Sequence, residues 1–567
     1  MAISLDAPAK KSNNGLKWLL SVIGTIGVIY FTISSSNSSS SFGPSTRVTE
    51  LPPNPFKNIT KFKPTGSRAS EIYNDYEYRN KSLKFLQGAV KIPTELQEEL
   101  QKPYKDLKGW EAFLDLHKYL ESSFPLVFSK LKVTHVNELA LLIEYEGSNP
   151  ELKPLVLTAH QDVVPVDKDT LDRWTYPPFE AHYDGEILWG RGTADTKSLL
   201  ISIFESFELL LQKNHKPNRT IILATSYDEE ASNLDKGAIA LAEFLKEKYG
   251  SIYTLIDEGT FISQVPGVPG HYIAEPSVAE KGYIDVLFEL FVDGGHSSVP
   301  FDHSAIGIAA DLVHLIENDP YKPTLTDENP IFDYLRTVAE IDEFDLSDEL
   351  RENFIYARYD DQARERVVEY LNSSRLTKYL IKTSQSIDII NSGVKINAIP
   401  EYLKLGINHR IALDKTVDDV LSNLIDKAAT ISEKFNLNLS LENNTEIIKK
   451  EDSLGSFKLS WEQPINPPPV SSSAGTKAWE VLASSIKSTF EDSIALGSTV
   501  DVVPATLVAH TDASTYVELS KNVYRFTGNI EGFYNIHAID EHIEFDAHIQ
   551  QVAFLHDYIL AVQEFDS

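Results

Sequence analysis

LVLTAHQD at 155–162, LWGRGTADTK at 188–197, TIILATSYDEEAS at 220–232 and YTLIDEG at 253–259 decide the fold of this chain. Each is a strand-like apolar run that ends in His, Asp or Glu. The residues are His160 and Asp162, then Asp195, then Glu229 and Glu230, then Asp257 and Glu258. In an open α/β sheet the carboxyl ends of parallel strands converge on one rim, where ligands bind. A single acidic strand end is an ordinary turn or cap, but four in succession describe a cleft of carboxylates and imidazole. Carboxylates gathered in one cleft repel each other by several kcal/mol at reduced dielectric. A divalent cation, or two sharing a carboxylate, relieves that repulsion. The chain has no Cys, so the donor set suits zinc, manganese or cobalt.

Around these stretches strands alternate with helices. LALLIEYEG and PLVLTAH precede a helix over 197–213, and TIILATSY precedes the helix GAIALAEFLKEKYG. This alternation indicates an α/β sheet with parallel strands. The pattern changes near 281. GYIDVLFELFVDGG alternates like a half-exposed strand, and SAIGIAADLVHLIEN follows as a helix. QSIDIINSG and EYLKLGINHRIAL are alternating strands, VDDVLSNLIDKAATISEKFN is a helix, and the acidic segment 325–372 between them reads as mostly helical. A β-α-β-β-α-β order of this kind is ferredoxin-like. GRGTADTK lacks the spacing and the Lys-Ser/Thr ending of a phosphate-binding loop.

At 567 residues the chain is too long for one core, and at least two domains are expected. Its 52 basic and 83 acidic residues give a formal charge of −31, which argues against nucleic acid as a partner. The lack of Cys excludes disulfides, thiolate-ligated zinc and thiol catalysis. Lys10, Lys11 and Lys17 precede the apolar run WLLSVIGTIGVIYFTI at 18–33, with no charge from there to Arg47. This reads as a transmembrane signal anchor in preference to a cleaved signal. It leaves 1–17 as a cytosolic tail and the remainder in a lumen. Residues 34–70, rich in Ser, Pro and Asn, read as a linker or stalk. Of seven N-x-S/T sequons, Asn58, Asn80, Asn218, Asn372, Asn438 and Asn443 are glycosylation candidates. Asn37 lies too near the membrane.

The motifs AHQDVVPV, WGRGTADTK, DEEAS, IDEG, EKGYIDV, GGHSSVP, INAIPE, INHRI and YRFTGNIEG…IHAIDEHI together resemble the di-zinc metallopeptidase family. That family includes fungal vacuolar carboxypeptidase S (a Gly-X carboxypeptidase), the aminoacylases and glutamate carboxypeptidases, and the match lies in the carboxypeptidase S branch. The resemblance runs from roughly residue 80 to the C-terminus. It implies a discontinuous zinc-peptidase catalytic domain with a mixed, largely parallel sheet, at 71–280 and 456–567, and an inserted ferredoxin-like α+β lid at 281–455.

It also implies roles. His160, Asp195, Glu230, Asp257 and His537 resemble the metal ligands, with Asp195 bridging two Zn2+ per subunit, for which Co2+ or Mn2+ could substitute. Asp162 resembles the carboxylate that orients His160, and Glu229 the general base. His296 resembles an electrophile supplied by the lid. Asn397 and Arg410 resemble holders of the substrate's amide and carboxylate, and Asp512 resembles a pocket-lining residue in HTDAS, where relatives usually carry glycines. Relatives also have a cis peptide after the bridging aspartate, here Asp195–Thr196. In dimeric relatives the lid histidine serves the partner's site, so a homodimer joins small peptides and a membrane among the partners. The location implied is the vacuole lumen, as a single-pass type II membrane protein that proteolysis could release. The activity implied is hydrolysis of C-terminal residues from short peptides. The alternatives are an N-acyl amino acid hydrolase or synthase and, in another class, a non-catalytic lumenal binding protein.

Overall fold

The computed structural model describes residues 51–96, 102–231 and 237–565. The expected tail and anchor at 1–33, and Asn37, lie outside them. Among the described residues no helix is long and apolar enough to cross a membrane.

A ten-stranded mixed sheet carries three of the four opening stretches; in the other, 188–197, Ile187–Trp189 pairs in a separate four-stranded sheet before the turn that bears Asp195. Strand Leu155–His160 lies parallel to Ile221–Ser226 on one side and to Thr254–Gln264 on the other, and Thr254–Gln264 is parallel in turn to Val523–Ile530. Lys132–Val136 and Ala140–Tyr145 add an antiparallel edge. Alternate residues go to opposite faces. Leu155, Leu157, Ile221, Leu223 and Ile256 join the core beneath helices Ser198–Gln212 and Phe545–Phe565. Val156, Ile222, Ala224 and Leu255 join the core beneath helix Gly237–Tyr249. A sheet covered on both faces needs strands apolar at every position, which is why LVLTA and IILA show no alternation.

The second sheet has six strands in the order Ser384–Ser392, Tyr402–Ile411, Gly282–Val292, Gly455–Ile465, Asn438–Leu441, Glu446–Ile448. Helices Ala305–Asn318 and Val417–Lys434 cover one face, burying Ile284, Val286, Phe288 and Leu290 against Leu312, Val420 and Leu424. This is the expected ferredoxin-like order with two strands added, Glu446–Ile448 at the edge and Gly455–Ile465 between Gly282–Val292 and Asn438–Leu441. Gly455–Ile465 pairs with Gly282–Val292, so the lid sheet continues to 465 and the expected boundary at 455/456 falls too early.

Two further expectations change. The helices Ile331–Ala339, Asp348–Tyr356 and Asp361–Asn372 lie within the lid by sequence, yet Phe332, Leu335, Val338, Phe354 and Val367 bury in the core of the catalytic sheet. Tyr334 donates from its hydroxyl to Glu275 at 3.3 Å. Residues 51–70 are packed chain and no stalk: Phe56 is buried with its ring 5.8 Å from that of Trp479, Phe62 meets Phe565, and a helix starts at Ala69. A Pro/Asn-rich composition hid the three apolar anchors Phe56, Ile59 and Phe62. Among the sequons, Asn58, Asn80, Asn372 and Asn443 are exposed. Asn218 and Asn438 are half-buried, with Asn438 Oδ1 accepting from the Lys450 amide.

His409 is fully buried in the lid, and burial lowers its pKa to about 4 against a weaker opposing contact with the Ile407 backbone. A folded-state value below the unfolded one means that its contribution is whole above pH ~6.5. It is lost as pH falls toward about 4, by up to about 3 kcal/mol. His409→Phe should therefore weaken the loss of stability between pH 7 and 4.5 by about 1–2 kcal/mol in urea unfolding. Equal pH slopes for the two proteins would overturn this.

Candidate metal centre

His160 closes its strand and is fully buried. Its Nδ1 donates to the backbone carbonyl of Asp162 at 2.9 Å, with Asp162 Oδ1 3.3 Å away. This fixes the tautomer and turns Nε2 toward the rim, as metal-binding imidazoles require. Nε2 lies 2.9 Å from Asp195 Oδ1 and 3.7 Å from Glu258 Oε1. Asp162 Oδ2 accepts from the Glu230 amide at 2.9 Å, so one orienting carboxylate steadies two neighbours.

Asp195 sits in the turn before helix Ser198–Gln212, and its peptide to Thr196 is cis, as the resemblance implied. Its two oxygens separate: Oδ1 faces His160, and Oδ2 lies 2.9 Å from His537 Nε2. Glu230 Oε1 is 2.8 Å from the same nitrogen. Glu229 turns the other way, to His160 and Glu258. Two donor groups thus share Asp195, one with His160 and Glu258, the other with His537 and Glu230.

Asp257 is not in this cluster; Glu258 takes its place. The register against Val523–Ile530 passes from Asp257↔Arg525 to Thr260↔Phe526, leaving Glu258 and Gly259 in a bulge. Bulges re-aim side chains, and this one points Glu258 inward. Gly259 is required: its φ is 154°, and a Cβ there would stand 2.5 Å from that of Arg525. Asp257 stays on the paired side, where its Oδ1 accepts from the Glu258 amide. Beside it, buried Arg525 donates to Glu280 at 2.6 Å, and Glu280 also accepts from Thr511. Sequence reasoning missed Glu280 and Arg525, although an Arg inside the apolar strand VYRF is itself a signal of a buried partner.

Electrostatics follow from the crowding. Burial, then Asp512 and Glu258, push the Glu229 carboxyl well above its ordinary range, and burial and Asp195 lift Glu258 to about 8. Burial opposes a proton on His537, yet Asp195 and Glu230 raise it to about 10. Against the same opposition Glu229, Asp162 and Asp195 raise His160. Asp195 is held below the carboxylate range by the two imidazoles, despite its burial. The cluster therefore draws positive charge to the place between His160, Asp195 and His537. Glu229 Oε2 is buried with no hydrogen-bond partner among the described residues. These donors fit divalent ions.

The remaining candidates scatter. Arg410 lies at the lid's base with its guanidinium 4.4 Å from the Tyr283 ring, and its charge is felt by Lys281 and His510. Among the described residues it has no carboxylate ion-pair partner. Asp512 is buried, bonded to Ser226 and beside Glu229, and it also lines a cavity of about 620 Å³ with His510, Trp461 and Gln463. His296 and Asn397 are exposed on the lid ribbon Gly295–His296/Ala398–Ile399, and among the described residues nothing bonds them to the cluster.

The family model for peptidases M20/M25/M40 matches residues 156–561. The chain belongs to that family. It is 41% identical to carboxypeptidase S of Saccharomyces cerevisiae, over 87% of this chain and 86% of the relative. It is 28% identical to a mouse N-fatty-acyl-amino acid synthase/hydrolase, over 83% and 90%. Human carnosine dipeptidase 1 superposes with a TM-score of 0.58 over 88% of this chain and all of that one, at 15% identity, which shows a shared fold. As a family member the chain is a peptide-bond hydrolase, and membership implies metal ions, for which this cluster supplies the donors.

The bulge separates the two neighbouring acids experimentally. Glu258→Gln should weaken metal retention at least ~10-fold in chelator competition, whereas Asp257→Asn should keep the metal and lose stability instead. Metal loss from Asp257→Asn alone would return the ligand role to Asp257.

Proposed function

We propose that this chain is a two-metal carboxypeptidase that removes the C-terminal residue from short peptides, with Gly-X sequences as the model substrate. The observation that carries this is the division of Asp195 between His160 and His537, with Glu229 beside them. Two divalent ions, zinc by donor chemistry and Co2+ or Mn2+ as substitutes, held by His160–Asp195–Glu258 and His537–Asp195–Glu230, would polarise the scissile carbonyl and acidify the attacking water. Glu229 is placed to take that water's proton and pass it to the departing amine. Its free Oε2 and raised affinity for a proton suit a group that must both accept and return one.

Arg410 is the candidate for the substrate's terminal carboxylate. It stands at the junction of lid and catalytic sheet with no carboxylate in ion-pair contact among the described residues, and a bidentate Arg–carboxylate contact explains exopeptidase selection. Asn397 and His296 complete the site in our reading through a homodimer. The ribbon that bears them carries the exposed apolar residues Val299, Val394 and Ile396, which a second copy would cover. We further propose that residues 18–33 form a type II anchor placing the enzyme in the vacuole lumen, with the exposed sequons available to glycosylation. The N-acyl amino acid reading rests on the more distant mouse relative and uses the same amide chemistry. Comparing Z-Gly-Leu with an N-fatty-acyl amino acid as substrate decides between them, and chelator must abolish whichever activity is found.

Glu229→Gln should lower kcat at least ~10²-fold with both metals retained. Loss of metal in that variant would mean that Glu229 and Glu230 have exchanged roles.

Amidating the peptide's C-terminus should cost the wild type several kcal/mol of transition-state binding, because a buried guanidinium loses its charged partner. Arg410→Met should hydrolyse the acid poorly and lose the preference between acid and amide. The four kcat/KM values form a double-mutant cycle, and a coupling near zero would show that the carboxylate is held elsewhere.

A further inference from the structure

His160 has a hydrogen bond at Nδ1 to set its ring. His537 has none at Nδ1 among the described residues, its side chain is half exposed, and its backbone φ is +59°. A metal-binding imidazole normally takes its orientation from a bond to the second nitrogen. For His537 it must come from the turn that carries it.

That turn, 535–541, is fastened to the loop bearing Asp195. Glu541, fully buried, accepts from Arg191 Nη1 at 2.6 Å and from the amides of Gly192, Ala194 and Asp195 at 3.0, 3.0 and 3.2 Å. Its own carbonyl accepts from the Gly190 amide at 2.9 Å. The pairing then continues as Trp189↔His542 and Leu188↔Ile543, and His542 stacks on Trp189 at 4.2 Å and on Tyr534 at 4.9 Å. On the other flank Asp540 Oδ1 accepts from the Thr175 amide at 2.6 Å.

We infer that Glu541 is a positioning residue: it sets His537 against Asp195 by binding three backbone amides of the Asp195 loop with one carboxylate. It touches neither substrate nor metal. A buried carboxylate is tolerated only when its oxygens are satisfied, and here one oxygen takes all three amides while the other takes Arg191. The two metal-bearing loops are thereby joined at a point four residues from one ligand and at the backbone of the other. The inference rests on the two-metal reading above.

The test uses the full chain, stripped and reloaded with Zn2+ under chelator competition, with kcat, KM and thermal midpoint measured in parallel. Wild-type stoichiometry judges the two-metal reading alone. One equivalent would overturn that reading, and Glu541 would then be judged by whether the remaining ion is weakened. Glu541→Asp keeps the charge beside Arg191 but shortens its reach. It should bind one Zn2+ equivalent at least ~10-fold more weakly, weaken the other less, and lower kcat more than it changes KM. Arg191→Met/Glu541→Leu fills the volume without stranding a charge and should show the same loss. Arg191→Met/Glu541→Gln restores an acceptor for the three amides and should recover metal affinity to within about threefold. Wild-type metal affinity in Glu541→Asp, or no recovery in the Gln double variant, would overturn the proposal and leave Glu541 a residue of stability alone.

Discussion

The mutual repulsion of carboxylates at one rim governs this structure. Asp195, Glu229, Glu230 and Glu258 all lie within reach of two imidazoles. At an effective dielectric of about 20, each pair of like charges about 4 Å apart costs about 4 kcal/mol. No fold would hold such a cluster by packing alone, so cationic character must be supplied. The protons drawn onto His160 and His537 show the demand, and divalent ions meet it more completely. The surrounding fold keeps that demand local. Asp257 and Glu280 lie beside buried Arg525, and Lys197 donates to the carbonyls of Ala89 and Ile92 at the end of helix Tyr76–Val90.

The sequence revealed this rim because parallel strands covered on both faces must be apolar throughout, and the first polar residue past each run marks where the strand meets the cleft. His160, Asp195, Glu229, Glu230 and His537 were legible on that basis together with the motif resemblance. Glu258 was not. An Asp-Glu doublet on a strand sends its members to opposite sides, and the choice was made by a bulge whose trace is only the glycine that follows. The lid's order was legible from its alternating strands, but its last strand was not, because GSFKLSWEQPI must pair with residues more than 160 positions earlier in the chain. The acidic helices at 331–372 read as part of the lid for the same reason. Their apolar stripe is plain, but which core receives it is a question of tertiary packing.

The residues that the motifs suggested for substrate divide by exposure. Arg410 is half-buried and shares the junction with His510 and Lys281, whose proton affinities burial and the Arg410 charge both lower. His296 and Asn397 sit on a short ribbon with Val394 and Ile396 almost wholly exposed. Exposed apolar residues clustered around functional side chains mark a surface awaiting a partner.

The acidic doublets follow one rule. In Asp257-Glu258 the second residue faces the His160 cluster, while the first accepts a backbone amide and borders Arg525. In Asp228-Glu229-Glu230 the two glutamates face the cluster, and Asp228 accepts from the Gly237 amide at the start of the next helix. In Asp540-Glu541, beyond His537, both residues accept backbone amides, from Thr175 and from the Asp195 loop. Asp228, Asp540 and Glu541 thus tie loops beside the cluster to neighbouring elements, whereas Asp195 has no such acidic neighbour. A carboxylate that accepts two or three amides is as ordered as any packed side chain, so the charge that would otherwise add to the repulsion becomes the means by which the ligands are held. The high acidic content at this rim therefore serves two purposes, supplying donors and holding their loops in place.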